Sequence, residues 1–206
     1  MGGMLNMFAP SSLSLAAFGA SGAIPVFDYG RWWTVLSATW LHGGALHILM
    51  NMLWVRQLAP VTAELYGAAR MVIIYIVAGV AGFALSSFAY VYLPDLFILR
   101  GSQFTVGASA SIFGLLGAHV HYARRSGSSL VGSQATSYAL MLGLFGLFLP
   151  GIDNYAHAGG FIGGYLASLL LDPLKPERVD HVAIALGCLA ASILAIAYTF
   201  FITVRA

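Results

Sequence analysis

Two stretches, Met71–Leu93 and Val182–Val204, each run for 23 residues without one charged side chain. A helix crossing the hydrocarbon core of a bilayer needs about 20 mostly apolar residues, so both are candidate spans. The rest of the chain agrees. It is 60% apolar and 8% charged over 206 residues, whereas a soluble domain carries about 25% charged residues. Such a composition cannot cover a water-facing surface. We therefore expect an all-α polytopic membrane protein. A net charge of +2, thinly scattered, excludes a nucleic-acid surface. Cys188 is the only cysteine, so no disulfide forms within the chain. The opening "MGGMLNMFAPSS" lacks the basic n-region of a signal peptide. With no repeat and no long low-complexity tract, residues 1–206 read as a single domain.

Four weaker segments join the two plain ones, giving six expected helices at roughly 44–60, 69–93, 107–123, 134–150, 154–171 and 181–203. The first is the least apolar, because His47 and Asn51 interrupt it, but "LHILMNMLW" contains no helix breaker. Orientation follows from Lys and Arg in short loops. With residues 1–43 outside, Arg56, Arg70, Arg124, Arg125, Lys175 and Arg178 lie inside, and Arg31, Arg100 and Arg205 outside. The first, third and fifth helices then all begin on the outer side. Their first turns carry His47 and Asn51, then Ser109, then His157. Polar side chains in a span are costly and mark a functional site by default; here they share one shallow depth.

Each of these residues has a bland and a chemical reading. His47 and Asn51, four apart, share a helix face and would serve equally as glue between helices. His157 lies on the same face as Gly160 and Gly164, and a glycine stripe lets a neighbouring helix come close. Ser109 follows Gly107 at the expected start of its helix, where a serine is commonly an N-cap. The same position suits a nucleophile. The first amides of a helix have no internal acceptor and carry partial positive charge, so a serine oxygen and part of an oxyanion hole come together. Ser111 turns about 200° away from Ser109 on a helix. The glycine and strand of a nucleophile elbow are absent, and no third carboxylate is evident, although Asp153 lies near His157 in sequence. A Ser/His dyad is the minimal chemical reading.

"HGGALHILMN" (His42–Asn51), "GASASIFG" (Gly107–Gly114) and "NYAHAGGFIGG" (Asn154–Gly164) together resemble the rhomboid family of intramembrane serine proteases. The resemblance extends from about Trp33 to Leu171. It implies a rhomboid-like helical bundle, with 1–43 as outer loop or interfacial segment, 44–171 as the catalytic helices and 181–203 as an extra C-terminal helix. It implies Ser109 as nucleophile and His157 as general base. His47, Asn51 and the Ser109 backbone N–H become oxyanion donors. In supporting roles, His42 orders the outer loop, Phe113 packs on the base, and Gly107, Gly160 and Gly164 belong to the same motifs. Substrates would be transmembrane proteins cut near the outer membrane face, with no cofactor and no metal. The membrane would be a bacterial inner membrane.

Three features depart from the family pattern. Ala110 follows the serine where glycine is usual, adding one methyl beside the oxyanion site. Trp33 is followed by Thr34 rather than arginine. The outer loop would occupy about Ser12–Leu41, leaving about eleven residues ahead of it, too few for the family's first helix. That implies a truncated or misassigned start, or a divergent interfacial segment; "SSLSLAAFGASGAIPVF" is apolar enough to lie flat at the interface. Two other functions compete. One is a non-catalytic relative that binds client transmembrane helices. The other is a metalloenzyme using His42, His47 and His157, disfavoured because no His-Glu-x-x-His spacing occurs. His119 and His121 are expected to face headgroups at the inner end of their helix. Trp32, Trp33 and Trp40 are expected to anchor the outer loop at the interface. Gln134 and Ser137 carry no visible role.

Overall fold

The computed structural model describes residues 8–94, 99–149 and 151–205. Its helices are α1 (Ser12–Phe18), α2 (Thr34–Ser37), α3 (Ala45–Tyr66), α4 (Ala68–Tyr92), α5 (Ser109–Ser126), α6 (Ser129–Phe148), α7 (Asn154–Leu170) and α8 (Val179–Val204). A π-helical turn, Ile24–Asp28, and a 3-10 turn, Ala38–Trp40, complete the outer loop. An isolated antiparallel bridge pairs Ser21 with Thr105. The protein is thus an all-helical, membrane-embedded bundle. By length and apolarity α4, α6 and α8 qualify as membrane spans. The intervening α3, α5 and α7 hold the polar residues singled out above.

The six expected helices are all present, with shifted ends. The first does not stop near residue 60 but continues to Tyr66 with Pro60 inside it. Proline removes one backbone donor, and the helix carries on around it; Thr62 Oγ1 donates to Leu58 O at 2.8 Å nearby. Only Gly67, at φ +97°, separates α3 from α4. The fourth expected helix begins earlier than residue 134, because the Ser128 hydroxyl caps α6 by accepting from Val131 N at 3.5 Å. Its expected end at residue 150 lies outside the described residues.

The core forms where α5 meets α4 and α7. Leu115, Leu116 and Ala118 of α5 are fully buried there. The facing backbones are close because the residues between them are glycine or alanine. A methyl at Gly160 would overlap the Ala110 carbonyl, and one at Gly164 would overlap the backbone of Gly114. On α4, Gly82 likewise faces Ala156 of α7 and Ala110 of α5. Since backbone cannot swing aside as a side chain does, these positions set the separation of the three helices.

At the end opposite the expected site the chain is tied by a buried arginine. Arg70, counted above as a loop residue, lies within α4 at 2% exposure. Its guanidinium donates to the Asp172 and Lys175 carbonyls at 2.9 Å each, to the Pro176 carbonyl, and to His181 Nδ1 at 3.0 Å. A buried guanidinium is tolerable when its donors are satisfied, and here they clamp the α7–α8 connection. His119 and His121 do not face headgroups. Both are buried inside the bundle, His119 Nε2 bonded to Thr62 Oγ1 at 2.8 Å and His121 Nδ1 to the Tyr66 hydroxyl at 3.1 Å. They answer polar groups of α3 that fall opposite them. Gln134 also has a partner: it and Gln57 both donate to the Tyr138 hydroxyl, at 3.1 and 3.0 Å.

Replacing Gly164 by valine is expected to destabilise the protein by about 1–3 kcal/mol or more, because the clash is with backbone. Thermal unfolding in detergent measures this. Glycine at 187, with open space beside it, is the matched control and should tolerate alanine.

Candidate active site

Ser109 is the first residue of α5, and Ala108 is its cap. The serine is therefore not an N-cap; its hydroxyl turns outward from the helix start toward α7. There Ser109 Oγ lies 2.9 Å from His157 Nε2. The histidine ring is buried and stacks on Phe113, one turn along α5 from Ser109, with ring centres 4.3 Å apart and planes 16° apart. His157 Nδ1 has no hydrogen-bond partner among the described residues. Asp153 does not supply one. It is the N-cap of α7: Oδ1 accepts from Ala156 N at 2.9 Å, and Oδ2 accepts from the Ser86 hydroxyl of α4 at 2.5 Å. Ser86 Oγ in turn accepts from Ser102 N at 3.1 Å. The histidine's helix is thus pinned at its first turn to α4 and to the segment leading into α5.

On the other side of Ser109 stands α3. Gly107 adopts φ +132°, a conformation that favours glycine. A methyl there would lie 2.7 Å from His47 Nε2 and 3.8 Å from Asn51 Nδ2. Two side-chain nitrogens therefore flank the turn that leads into the serine. Gly43 N donates to His47 Nδ1 at 3.2 Å. In the neutral ring that leaves the proton on Nε2, the nitrogen facing Gly107. Asn51 spends one amide hydrogen on the His47 carbonyl, at 2.9 Å, and has a second to give. His42 meets His47 edge-on at 5.2 Å. Its partial burial, with the neighbouring His47 as a second cause, lowers its pKa to about 4, so His42 is neutral at pH 7.

The remaining candidates separate cleanly. Ser111 is fully buried and directed at Gly79 of α4, its hydroxyl without a partner among the described residues. The Ala110 methyl, expected beside an oxyanion site, is buried with Ala38, Phe83 and Ala156, in the space that Gly82 leaves. Among the described residues no three His, Cys, Asp or Glu side chains converge to hold a metal ion. Ser86 and Ser102 were missed by sequence reasoning. The Asp153 cap was legible as an acceptor just ahead of an apolar helix, but its link to α4 depends on tertiary packing alone.

Comparison with known proteins identifies the family. Residues 29–173 match the description of the Rhomboid domain. The chain is 34% identical over 169 residues to RHOMBOID-like protein 4 of Arabidopsis thaliana, covering 80% of this chain and 40% of that protein. It is 32% identical over 170 residues to RHOMBOID-like protein 7 of the same plant, covering 80% and 51%. To the Rhomboid protease GluP of Bacillus subtilis it is 30% identical over 170 residues, covering 81% and 31%. The chain thus spans about half or less of the length of these relatives. It belongs to the rhomboid family, whose fold is that of an intramembrane protease.

Asp153→Ala removes both the cap and the bond to Ser86, and is expected to cost about 1 kcal/mol or more of stability. Asp153→Asn keeps a good cap and should cost less. Thermal unfolding of the two variants side by side checks the order.

Proposed function

We propose that this chain is an intramembrane serine endopeptidase that cuts transmembrane-helix substrates near the outer membrane face. The observation that carries the reading is the 2.9 Å approach of His157 Nε2 to Ser109 Oγ across two helices. The chemistry follows from the geometry. His157 Nε2 accepts the serine proton as Oγ attacks the substrate carbonyl carbon. Negative charge then develops on the carbonyl oxygen. The Ser109 N–H, one of the first amides of α5 and so without a helical acceptor, the His47 Nε2–H and the free Asn51 amide hydrogen surround that oxygen's place. Collapse of the tetrahedral intermediate expels the amine, which takes the proton from His157. Water, activated by the same base, releases the acyl group from Ser109.

With no carboxylate behind it among the described residues, the imidazole is oriented by the Phe113 stack. A π-face also favours the cationic ring that forms during transfer. His42 stays outside the chemistry, steadying the outer loop beside His47. Gly107, Gly160 and Gly164 serve by letting backbone and helices close in. The substrate class and the outward-facing site rest on family membership and on the distribution of Lys and Arg. Short loops favour a bacterial inner membrane.

Labelling of purified protein in detergent by a fluorophosphonate tests the assignment. Wild type is expected to label, and Ser109→Ala and His157→Ala are not. A folded wild type that takes no label would overturn the reading and favour a helix-binding, non-catalytic relative. Within an active enzyme, His47→Ala or Asn51→Ala should each lower turnover of a membrane substrate by roughly a hundredfold or more, the usual effect of losing one oxyanion donor.

A further inference from the structure

The match to the family domain stops at residue 173, and α8 begins six residues later, at Val179. Nothing about spanning a membrane asks α8 for hydroxyls, yet Ser192, Thr199 and Thr203 fall on one face of it, seven and eleven residues apart. Thr199 is fully buried. Its hydroxyl donates to Ala195 O at 2.7 Å, which fixes the rotamer, and its oxygen accepts the indole N–H of Trp33 at 2.9 Å. Trp33 is thereby tied to α8, and its ring packs edge-on against Tyr198 at 4.9 Å. Arg31 donates to Thr203 Oγ1 at 3.3 Å, and Phe18 of α1 stacks on Phe200 at 5.1 Å. The two stretches of the outer loop meet beside Thr199, because Ser37 Oγ donates to Gly19 O at 2.7 Å and a methyl at Gly19 would lie 3.4 Å from Thr199 Oγ1.

From this junction the backbone leads to the serine. Ser21 N donates to Thr105 O at 3.1 Å, and Thr105 N to Ser21 O at 2.7 Å. Ala23 N and Ile24 N donate to Ser102 O and Gln103 O at 2.9 and 3.3 Å. Gly107 N donates to Ala38 O at 3.0 Å. Every one of these bonds joins the outer loop to the few residues ahead of Ser109. We propose that α8 is a positioning element for the active site: through Thr199 it holds the outer loop, and the loop holds the 102–107 segment that sets Gly107 and Ser109 against His47 and His157. Thr199 is a positioning residue, not a catalytic one. The inference rests on the reading of Ser109 as nucleophile.

The test compares wild type, Thr199→Val and Thr199→Ser. Valine keeps the shape and removes the hydroxyl; serine keeps the hydroxyl. Two measurements are made: the rate of fluorophosphonate labelling, and amide hydrogen exchange of residues 19–39 and 102–107. Thr199→Val is expected to label about threefold to tenfold more slowly, the effect of one lost hydrogen bond expressed in a rate. Exchange should quicken in both segments and not in α6. Thr199→Ser should restore labelling to within about twofold of wild type and restore the exchange pattern, which a purely steric role for Thr199 would not do. Wild-type labelling and exchange at 102–107 in the valine variant, even with a looser outer loop, would overturn the proposal. A wild type that fails to label defeats the nucleophile reading instead, and the exchange comparison still decides whether α8 governs the 102–107 segment.

Discussion

The close approach of α5 and α7 is the constraint on which the other features depend. Gly160 and Gly164 press against the backbone of Ala110 and Gly114, and Gly82 makes room for Ala110 and Ala156. Each glycine inside a helix costs roughly 1 kcal/mol relative to alanine in an isolated helix. That cost is offset by contact. In lipid there is little hydrophobic drive between helices, so packing at short range is what holds them together. Backbone against backbone also leaves few adjustable side chains in between. The position of one helix relative to the other is then stiff, and side chains at the two helix starts inherit that stiffness.

A second constraint is the cost of unpaired polar groups in an apolar medium. The bundle answers it nearly everywhere. Arg70 spends its donors on the α7–α8 connection, His119 and His121 find hydroxyls on α3, and Thr199 both gives and accepts. The buried side-chain atoms without partners, among the described residues, are His42 Nε2, Ser111 Oγ and His157 Nδ1. Two of these belong to histidines at the candidate site. Unsatisfied groups that persist in a well-packed protein concentrate where function outweighs stability, and their location here favours the same site as the Ser109–His157 contact.

Much of this was legible before the fold was known. Charge-free runs at 71–93 and 182–204 gave the membrane class, and polar residues recurring in the first turns of alternate helices gave the set His47, Asn51, Ser109 and His157. Glycine at 160 and 164 indicated which face of α7 meets a partner. What stayed hidden depends on pairs distant in the chain. His119 and His121 sit beside arginines in the sequence and look interfacial, but their hydrogen-bond partners are Thr62 and Tyr66, more than fifty residues away. The bond from Trp33 to Thr199, far apart in the chain, has no sign in the sequence. Ala110 looks like a methyl intruding on the site until Gly82 supplies its space.

Among the described residues no carboxylate stands behind His157, and this gives the helix packing a further meaning. In a Ser/His/Asp arrangement the acid selects the imidazole tautomer and holds the ring. Here Asp153 is committed to the α7 cap and to Ser86, and Nδ1 has no partner among the described residues. On the proposed reading, the ring is aligned from one face by Phe113 and from one edge by Ser109 itself. Neither contact controls where the base's Cα lies. That is set by the first turn of α7, whose place depends on Asp153 at its cap and on glycine contacts along its length. A dyad of this kind transfers to the backbone the precision that a third side chain would otherwise supply. The same reasoning extends to the serine, whose Cα is placed by Gly107, by its bond to Ala38 and by the outer loop resting on α8.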